Sequence, residues 1–526
     1  MNKKVCSFPI LFALLALLIG TCAVVFPASA QAAPTSTGSI TVSGTVARSY
    51  DAYQIFSANV VDGDSDAKIA TDLAWASDAA RDVVLPVLHS AGMPNSKTTA
   101  QEAAEWLNTD SHLTSALSAQ LARSLQSSGA VSVALNAGTA AELPCGYWLI
   151  VADDAISQNE AGTAPIMALV GGGAVTVKPK AATPKVAKHV LEDSTAAWQK
   201  AADATVADDL YWRLSATVPA GLAAYDTYTV RFVDTMGAGL DPSKVAASMR
   251  VYAASGADGG FDAVQTGKDG HAGTEPAKGW TDITAQCATK VAVDGKTFTV
   301  RTGDLIAALG GADAFTAGAR VVAVYNAPLN SACNHGIAKG NPNEVYLRYP
   351  RSPFADQSGD AGFTRTPSDD ACAYTWDLAL TKRGSDGDKP LAGAVLSIAD
   401  DRGRTLAADG TWDAEGKATV TTGEDGRVTV SGVDSGKLEV RELKAPKGYT
   451  AFEGTRSVTV KAEGLDVKQV AAAKPKLTIT AESPLRADSA DGQTGSLEAS
   501  LINTPTGTPP SITTGGFMPL TGDMAM

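Results

Sequence analysis

The feature that most constrains this chain is a two-residue rhythm. From about 181 to 505 the sequence consists of short segments in which every second residue is apolar, among them DTYTVRFVD, KTFTVRT, NEVYLRY, YTWDLALTK, KLEVREL and SLEASLIN, set between Gly, Asp and Pro turns. Successive side chains of a strand point to opposite faces, so such segments bury one face each and predict stacked sheets, not helices. In several of them, however, the apolar row includes a polar residue. Leu438 and Val440 are followed on their face by Glu442; Trp376, Leu378 and Leu380 by Lys382; Leu497, Ala499 and Leu501 by Asn503. The earlier part of the region carries the same three residue types. Val186 and Val190 flank Lys188, Tyr228, Val230 and Phe232 precede Asp234, and Asn343 leads Val345, Leu347 and Tyr349.

Taken singly, a Lys or Asn at a strand end is usually a snorkelling or turn-capping residue. Two sets in the same order, with Lys on the first strand, the acid between and Asn on the last, point to chemistry. Burial disfavours charge, so it lowers an amine's pKa and raises a carboxyl's, and both can be neutral together. A neutral amine is a nucleophile, and a protonated carboxyl can polarise a carboxamide and assist departure of ammonia. The product is a side-chain amide that forms once and needs no cofactor.

The rest of the chain sets the frame. Residues 1–30 hold two lysines, an apolar run from Ile10 and Ala28-Ser29-Ala30, the pattern of an export signal. Residues 31–180 alternate strand-like segments (ITVSG, YDAYQIFSANV, GYWLIVAD, GAVTVKP) with helical periodicity, supported by a capping box at Thr99–Glu102 and by Leu113, Leu117, Leu121 and Leu125. Residues 181–350 and 371–505 read as two β-sandwiches, 351–370 as a Pro/Gly/Ser/Asp-rich linker, and 506–526 as a spacer. No segment after the leader has the apolar length of a membrane-spanning helix. A formal charge of −13 argues against a nucleic-acid surface. Asp62-Gly-Asp64-Ser-Asp66 opens like a calcium loop, but Ala67 and Leu73 replace the required Gly and Glu, so it reads as a turn. The histidines lack metal-ligand spacing, and no external-substrate active site is evident. Of the four cysteines beyond the leader, Cys287 and Cys333 share one domain and are the candidate disulfide, with free buried thiols as the alternative.

These residues resemble the backbone pilins of Gram-positive bacteria, whose immunoglobulin-like domains carry Lys–Asn isopeptide bonds. LEVRELKAPKGYT (438–450) is similar to the family's E-box, and PLAGAVLSI after Lys382 to the start of its Cna-B-like domain; KHV, VDTMGAGL and GNPNEVYLRY resemble the Cna-A-like domain, and YDAYQIF and LPCGYWLIV the first pilin domain. The resemblance implies a mainly β chain of tandem sandwiches. It implies bonds Lys188–Asn343 assisted by Asp234 and Lys382–Asn503 assisted by Glu442, with Asn341 and Asp208 as second choices in the middle domain. VTVKPK resembles the pilin motif with Lys180 as acceptor, although Lys178 stands where the family has Tyr. Met518, Pro519, Leu520, Thr521 and Gly522 resemble the sortase signal LPxTG with Met for its first Leu; the apolar span and basic tail that follow it in the family are not in the sequence given. The implied protein is a secreted shaft subunit of a pilus attached to the cell wall. Its partners would be a pilus sortase, copies of itself and other pilins. The alternative is a wall-linked adhesin or minor pilin that binds host extracellular matrix.

Overall fold

The computed structural model describes residues 36–507 apart from 45–47, 64–66, 110–111, 154–159, 161, 180–182, 221–223, 268–270, 293–294, 312–314, 316 and 354. The leader, Lys180 and the 518–522 motif lie outside the described residues.

The N-terminal part joins two sheets to three helices. The long strand Ser49–Asp62 lies between Lys68–Trp75 and Gly146–Ala152, with Ile166–Val170 beyond, while Thr37–Val42 pairs with Ala140–Pro144 and Val175–Val177 in a second sheet. Each helix begins where a hydroxyl can accept an otherwise orphaned N–H: Ser77, Thr99 and Thr114 accept from Ala80, Glu102 and Leu117. Thr99 and Glu102 form the reciprocal capping box. The third helix starts at Ser115, so Leu117, Leu121 and Leu125 are buried on it while Leu113 precedes it and is exposed. Asp62, from the calcium-like segment, pairs with Lys68, whose amine also donates to the carbonyls of Gly171 and Gly173.

The middle part is a sandwich. One sheet runs Ala197–Gln199, Lys185–Glu192, Tyr211–Val218, Ala319–Asn326, Arg250–Ser255 and Thr281–Asp282. The facing sheet is centred on Asn341–Pro350 and Arg231–Met236, flanked by Thr297–Arg301 and Ala288–Val291 on one side. Trp212, Tyr228, Phe232, Phe298, Tyr325 and Leu347 fill the space between them, as the alternating rows require.

The segment 351–370, which composition reads as a linker, is partly sheet. Phe363–Arg365 and Asp369–Tyr374 both pair with Asn341–Pro350. Its anchors are ionic and isolated, and so have no period: Asp360 pairs with Arg231 and Arg348, and the Arg231 guanidinium lies 4.0 Å from the Phe363 ring centroid. Asn343 is therefore not on the last strand of its sandwich.

Thr375 alone separates Asp369–Tyr374 from Trp376–Gly384, the first strand of the C-terminal sandwich. One sheet of that domain holds Arg427–Val433, Trp376–Gly384, Ser496–Pro505, Tyr449–Thr450 and Leu485–Asp491; the other includes Val395–Ala399, Gly436–Lys444, Thr455–Glu463 and Lys476–Ala481. The junction is polar and well paired. Asp203 Oδ2 accepts from the Trp376 indole (2.7 Å) and from the Ser435 N–H and hydroxyl, Val206 N–H donates to Gly432 O, and Asp208 accepts from Arg402 and Arg404.

Because the indole and the Ser435 donors converge on one carboxylate, Asp203→Ala leaves them unpartnered at a cost of about 1–3 kcal/mol. We expect faster hydrogen exchange at the Trp376 indole and the Ser435 amide in that variant, with exchange in the N-terminal helices unchanged. Parental exchange at both sites would show that Asp203 does not hold the junction.

Candidate functional site

In the middle sandwich the two sheets present Lys188, Asp234 and Asn343 to one another, and all three are fully buried, at 0% exposure. Asp234 and Asn343 come from neighbouring antiparallel strands, with Asp234 opposite Val345 and Met236 opposite Asn343. Lys188 reaches across from the other sheet, and its amine donates to Asp234 Oδ2 and to Tyr325 Oη (2.9 Å). Tyr325 ties the group together: its hydroxyl donates to Asp234 Oδ2 (3.2 Å) and accepts from Asn343 Nδ2 (2.8 Å). Around the amine stand the rings of Trp212 and Tyr325, each with its centroid 5.4 Å from Nζ.

This apolar wall has a direct electrostatic effect. Burial pushes the Lys188 amine down to about 8 despite the opposing pull of Asp234, and burial raises the Asp234 carboxyl despite Lys188. Both shifts favour moving the proton from amine to acid. Asp234 Oδ1 and Asn343 Oδ1 are buried without a hydrogen-bond partner, so a proton on the carboxyl would replace one of two orphaned acceptors with a donor.

The C-terminal sandwich distributes the same residue types differently. Trp376–Gly384 and Ser496–Pro505 are parallel neighbours in one sheet, with Lys382 opposite Leu501 and Gly384 opposite Asn503. Here the acid comes from the facing sheet, where Leu438, Val440 and Glu442 form one buried row. Lys382 Nζ donates to Leu501 O (3.2 Å) and lies 3.7 Å from Glu442 Oε1. Asn503 Nδ2 donates to both Glu442 oxygens (2.9 and 3.0 Å), and the Phe452 N–H donates to Oε2 (3.1 Å). Burial pushes Lys382 down to about 8, again against its carboxylate. The polar residues that break the apolar rows thus meet in two closed groups.

The second choices lie elsewhere. Asn341 exchanges hydrogen bonds with the Asn334 backbone and donates to Ala373 O, which closes the preceding loop. Asp208 is held by Arg402 and Arg404 at the domain junction. Cys287 and Cys333 are not joined: the Cys287 thiol donates to Ile283 O within its own turn, Cys333 lies 3.7 Å from His335 Nε2, and all four described cysteines are free thiols. Sharing a domain brings both to the border of one core without bringing the sulfurs together. Tyr325 is the site residue that the strand reading misses. Its signal was present, since it extends the inward row of Val321 and Ala323 with a hydroxyl.

Residues 377–474, the greater part of the Lys382–Glu442 sandwich, match the family of the SpaA prealbumin-like fold domain. The chain is 30% identical over 143 residues to the trypsin-resistant surface T6 protein of Streptococcus pyogenes serotype M6, a match that covers 26% of this chain and only 24% of that relative. The solved T6 backbone pilin of serotype M6 S. pyogenes aligns over 90% of this chain and 98% of its own at 16% identity and a TM-score of 0.47. The full-length major pilin SpaD of Corynebacterium diphtheriae aligns over 89% and 98% at 15% identity and a TM-score of 0.43. The C-terminal domain is of the SpaA prealbumin-like type.

A pH test follows from the Lys382 amine. In Asn503→Ala it has no carboxamide beside it, and its ordinary value of 10.5 is lowered to about 8 by burial. Below pH 8 the lysine is protonated both folded and unfolded, and the burial cost is fully present. Between pH 8 and 10.5 the unfolded chain holds more protons, so stability rises with pH, by up to about 3 kcal/mol. Denaturant midpoints of Asn503→Ala should climb over that window relative to Asn503→Ala/Lys382→Met. Parallel curves would show that the amine is not desolvated.

Proposed function

We propose that the protein is a structural shaft subunit of a covalently polymerised surface pilus, and that each sandwich closes its own Lys–Asn isopeptide bond. The observation that supports this most strongly is the convergence, twice, of a buried lysine, a carboxyl and an asparagine in the core of a sandwich. In each domain the neutral lysine Nζ attacks the Asn Cγ, the Cγ–Nδ2 bond breaks, and ammonia departs with the proton that the amine gives up. Asp234 and Glu442 carry that proton between nitrogen atoms and are regenerated. Fixed proximity takes the place of a catalyst, and is worth about 7–11 kcal/mol of barrier in well-aligned intramolecular cases. Each acid serves one bond, so the chemistry is self-modification and not turnover.

Between subunits, the reading takes a sortase to cleave after Thr521 and to pass its acyl group to Lys180 of the next copy, giving chains linked head to tail on the cell surface. The internal bonds close loops longer than 100 residues, and the chain-entropy relation for crosslinks gives about 5 kcal/mol for each. A fibre of such subunits would carry load through covalent bonds.

Intact mass tests the internal bonds: the folded protein should weigh two ammonia molecules less than its sequence, with one restored in Asp234→Ala and one in Glu442→Ala. A full-mass parent would end the reading.

Co-expression with a pilus sortase tests assembly. We expect an SDS- and heat-resistant ladder that Lys180→Ala abolishes. A ladder unaffected by that substitution would remove Lys180 as acceptor, and the absence of any ladder would favour a wall-linked adhesin.

A further inference from the structure

The backbone of Lys188 is held in an unusual way. On one edge its strand is paired with Tyr211–Val218, where Lys188 faces Leu214. On the other edge, Ala197–Gln199 pairs with Val190, Leu191 and Glu192, so among the described residues no strand forms ladder hydrogen bonds with Lys188 on that side. The two backbone groups that point that way are satisfied by side chains. The Lys188 N–H donates to Asp369 Oδ2 (2.6 Å), and the Lys188 carbonyl accepts from Lys200 Nζ (2.8 Å). Lys200 and Asp369 in turn pair with each other, and Lys200 also donates to Asp370 O (3.1 Å). The Lys200 side chain is nine-tenths buried.

Asp369 connects this edge to the other half of the site. It opens the strand Asp369–Tyr374, in which it lies opposite Val345 while Ala371 lies opposite Asn343. The Lys200 backbone is bound to the same strand, since the Cys372 N–H donates to the Lys200 carbonyl. A single ion pair therefore spans from the peptide unit that carries the reactive amine to the strand beside the acceptor amide. The Tyr325 hydroxyl joins the two side chains, accepting from Lys188 Nζ and Asn343 Nδ2, while the ion pair holds the Lys188 backbone.

We propose that Lys200 and Asp369 are positioning residues for the Lys188–Asn343 bond, holding the Lys188 backbone at the reach and orientation from which Nζ meets Asn343. The inference rests on the isopeptide reading above and adds two residues to it. A partly buried ion pair gives little net stability, because desolvation offsets much of its Coulomb energy. It gives geometry instead, and reacting groups misplaced by about 1 Å lose on the order of 100-fold in rate. The pair also bears on the amine electrostatically: Lys200 disfavours a second positive charge on Lys188 while Asp369 favours it. Their effects oppose, so placement is the larger consequence.

The test uses the full chain, with the C-terminal bond as an internal reference. Peptide mass mapping of freshly isolated protein should show Lys188 fully joined to Asn343 in the parent and in Lys200→Arg, which keeps the charge and the donors. In Lys200→Met and Asp369→Asn a large unjoined fraction should be present that closes on incubation roughly 10- to 100-fold more slowly, while Lys382–Asn503 is complete in every sample. The unjoined fraction should retain the tryptophan fluorescence of folded Asn343→Ala protein. Complete joining in both variants at isolation overturns the inference. So does an unjoined fraction with the fluorescence of an unfolded chain, because the effect would then be one of stability alone. An unjoined Lys188 in the parent defeats the underlying isopeptide reading, an outcome distinguished by the parent and variants behaving alike.

Discussion

The structure turns on the enclosure of two lysine amines inside β-sandwiches. A primary ammonium is among the most costly groups to remove from water, and an uncompensated one would shift its proton or open the core. Here each amine is buried beside a carboxyl and a carboxamide, and the apolar residues that drive the sheets together also lower the pKa of the amines trapped among them. The packing that builds the fold also desolvates the amines. The more completely Trp212, Phe298 and Tyr325 exclude water, the closer Lys188 comes to being a nucleophile.

The two sandwiches reach this state by different geometries, and the difference has mechanical content. In the middle domain the lysine crosses from one sheet to an acid and an amide on the other. A bond there would staple the sheets. In the C-terminal domain lysine and asparagine lie on adjacent parallel strands, the first and the last of the domain, with the acid facing them. Tension applied at Trp376 and Pro505 would shear that parallel pair, and a Lys382–Asn503 bond would pass the load from one strand to the other around everything between. In the middle domain the chain continues beyond Asn343 into Asp369–Tyr374, so that strand stays in the load path and is held by its ladder to Asn341–Pro350, by Lys200 and by the backbone of Lys188.

The junction between these domains fits the same picture. With one residue between consecutive strands, and with Asp203 and Asp208 each engaging several donors from the C-terminal domain, the two sandwiches have little freedom to hinge. The carboxylates that do this belong to short, aperiodic segments. Asp208 reads from sequence as a second-choice catalytic acid, and its actual role depends on Arg402 and Arg404, almost two hundred residues away.

Sequence alone determined the elements whose information is local or periodic. The two-residue alternation set which side chains face inward, and thereby exposed Lys188, Asp234, Asn343, Lys382, Glu442 and Asn503 as polar intruders on apolar rows; the capping box at Thr99 set a helix start. Tertiary structure alone decided what has no period. It placed Asp369–Tyr374 in the sheet beside Asn341–Pro350, brought the Tyr325 hydroxyl among three groups from three other strands, kept Cys287 and Cys333 apart, and arranged the two triplets as one cross-sheet and one in-sheet pair. Parity along a strand states which face a residue occupies. It does not state which strand lies beside it, because neighbours in a sheet are chosen by the packing of the whole domain.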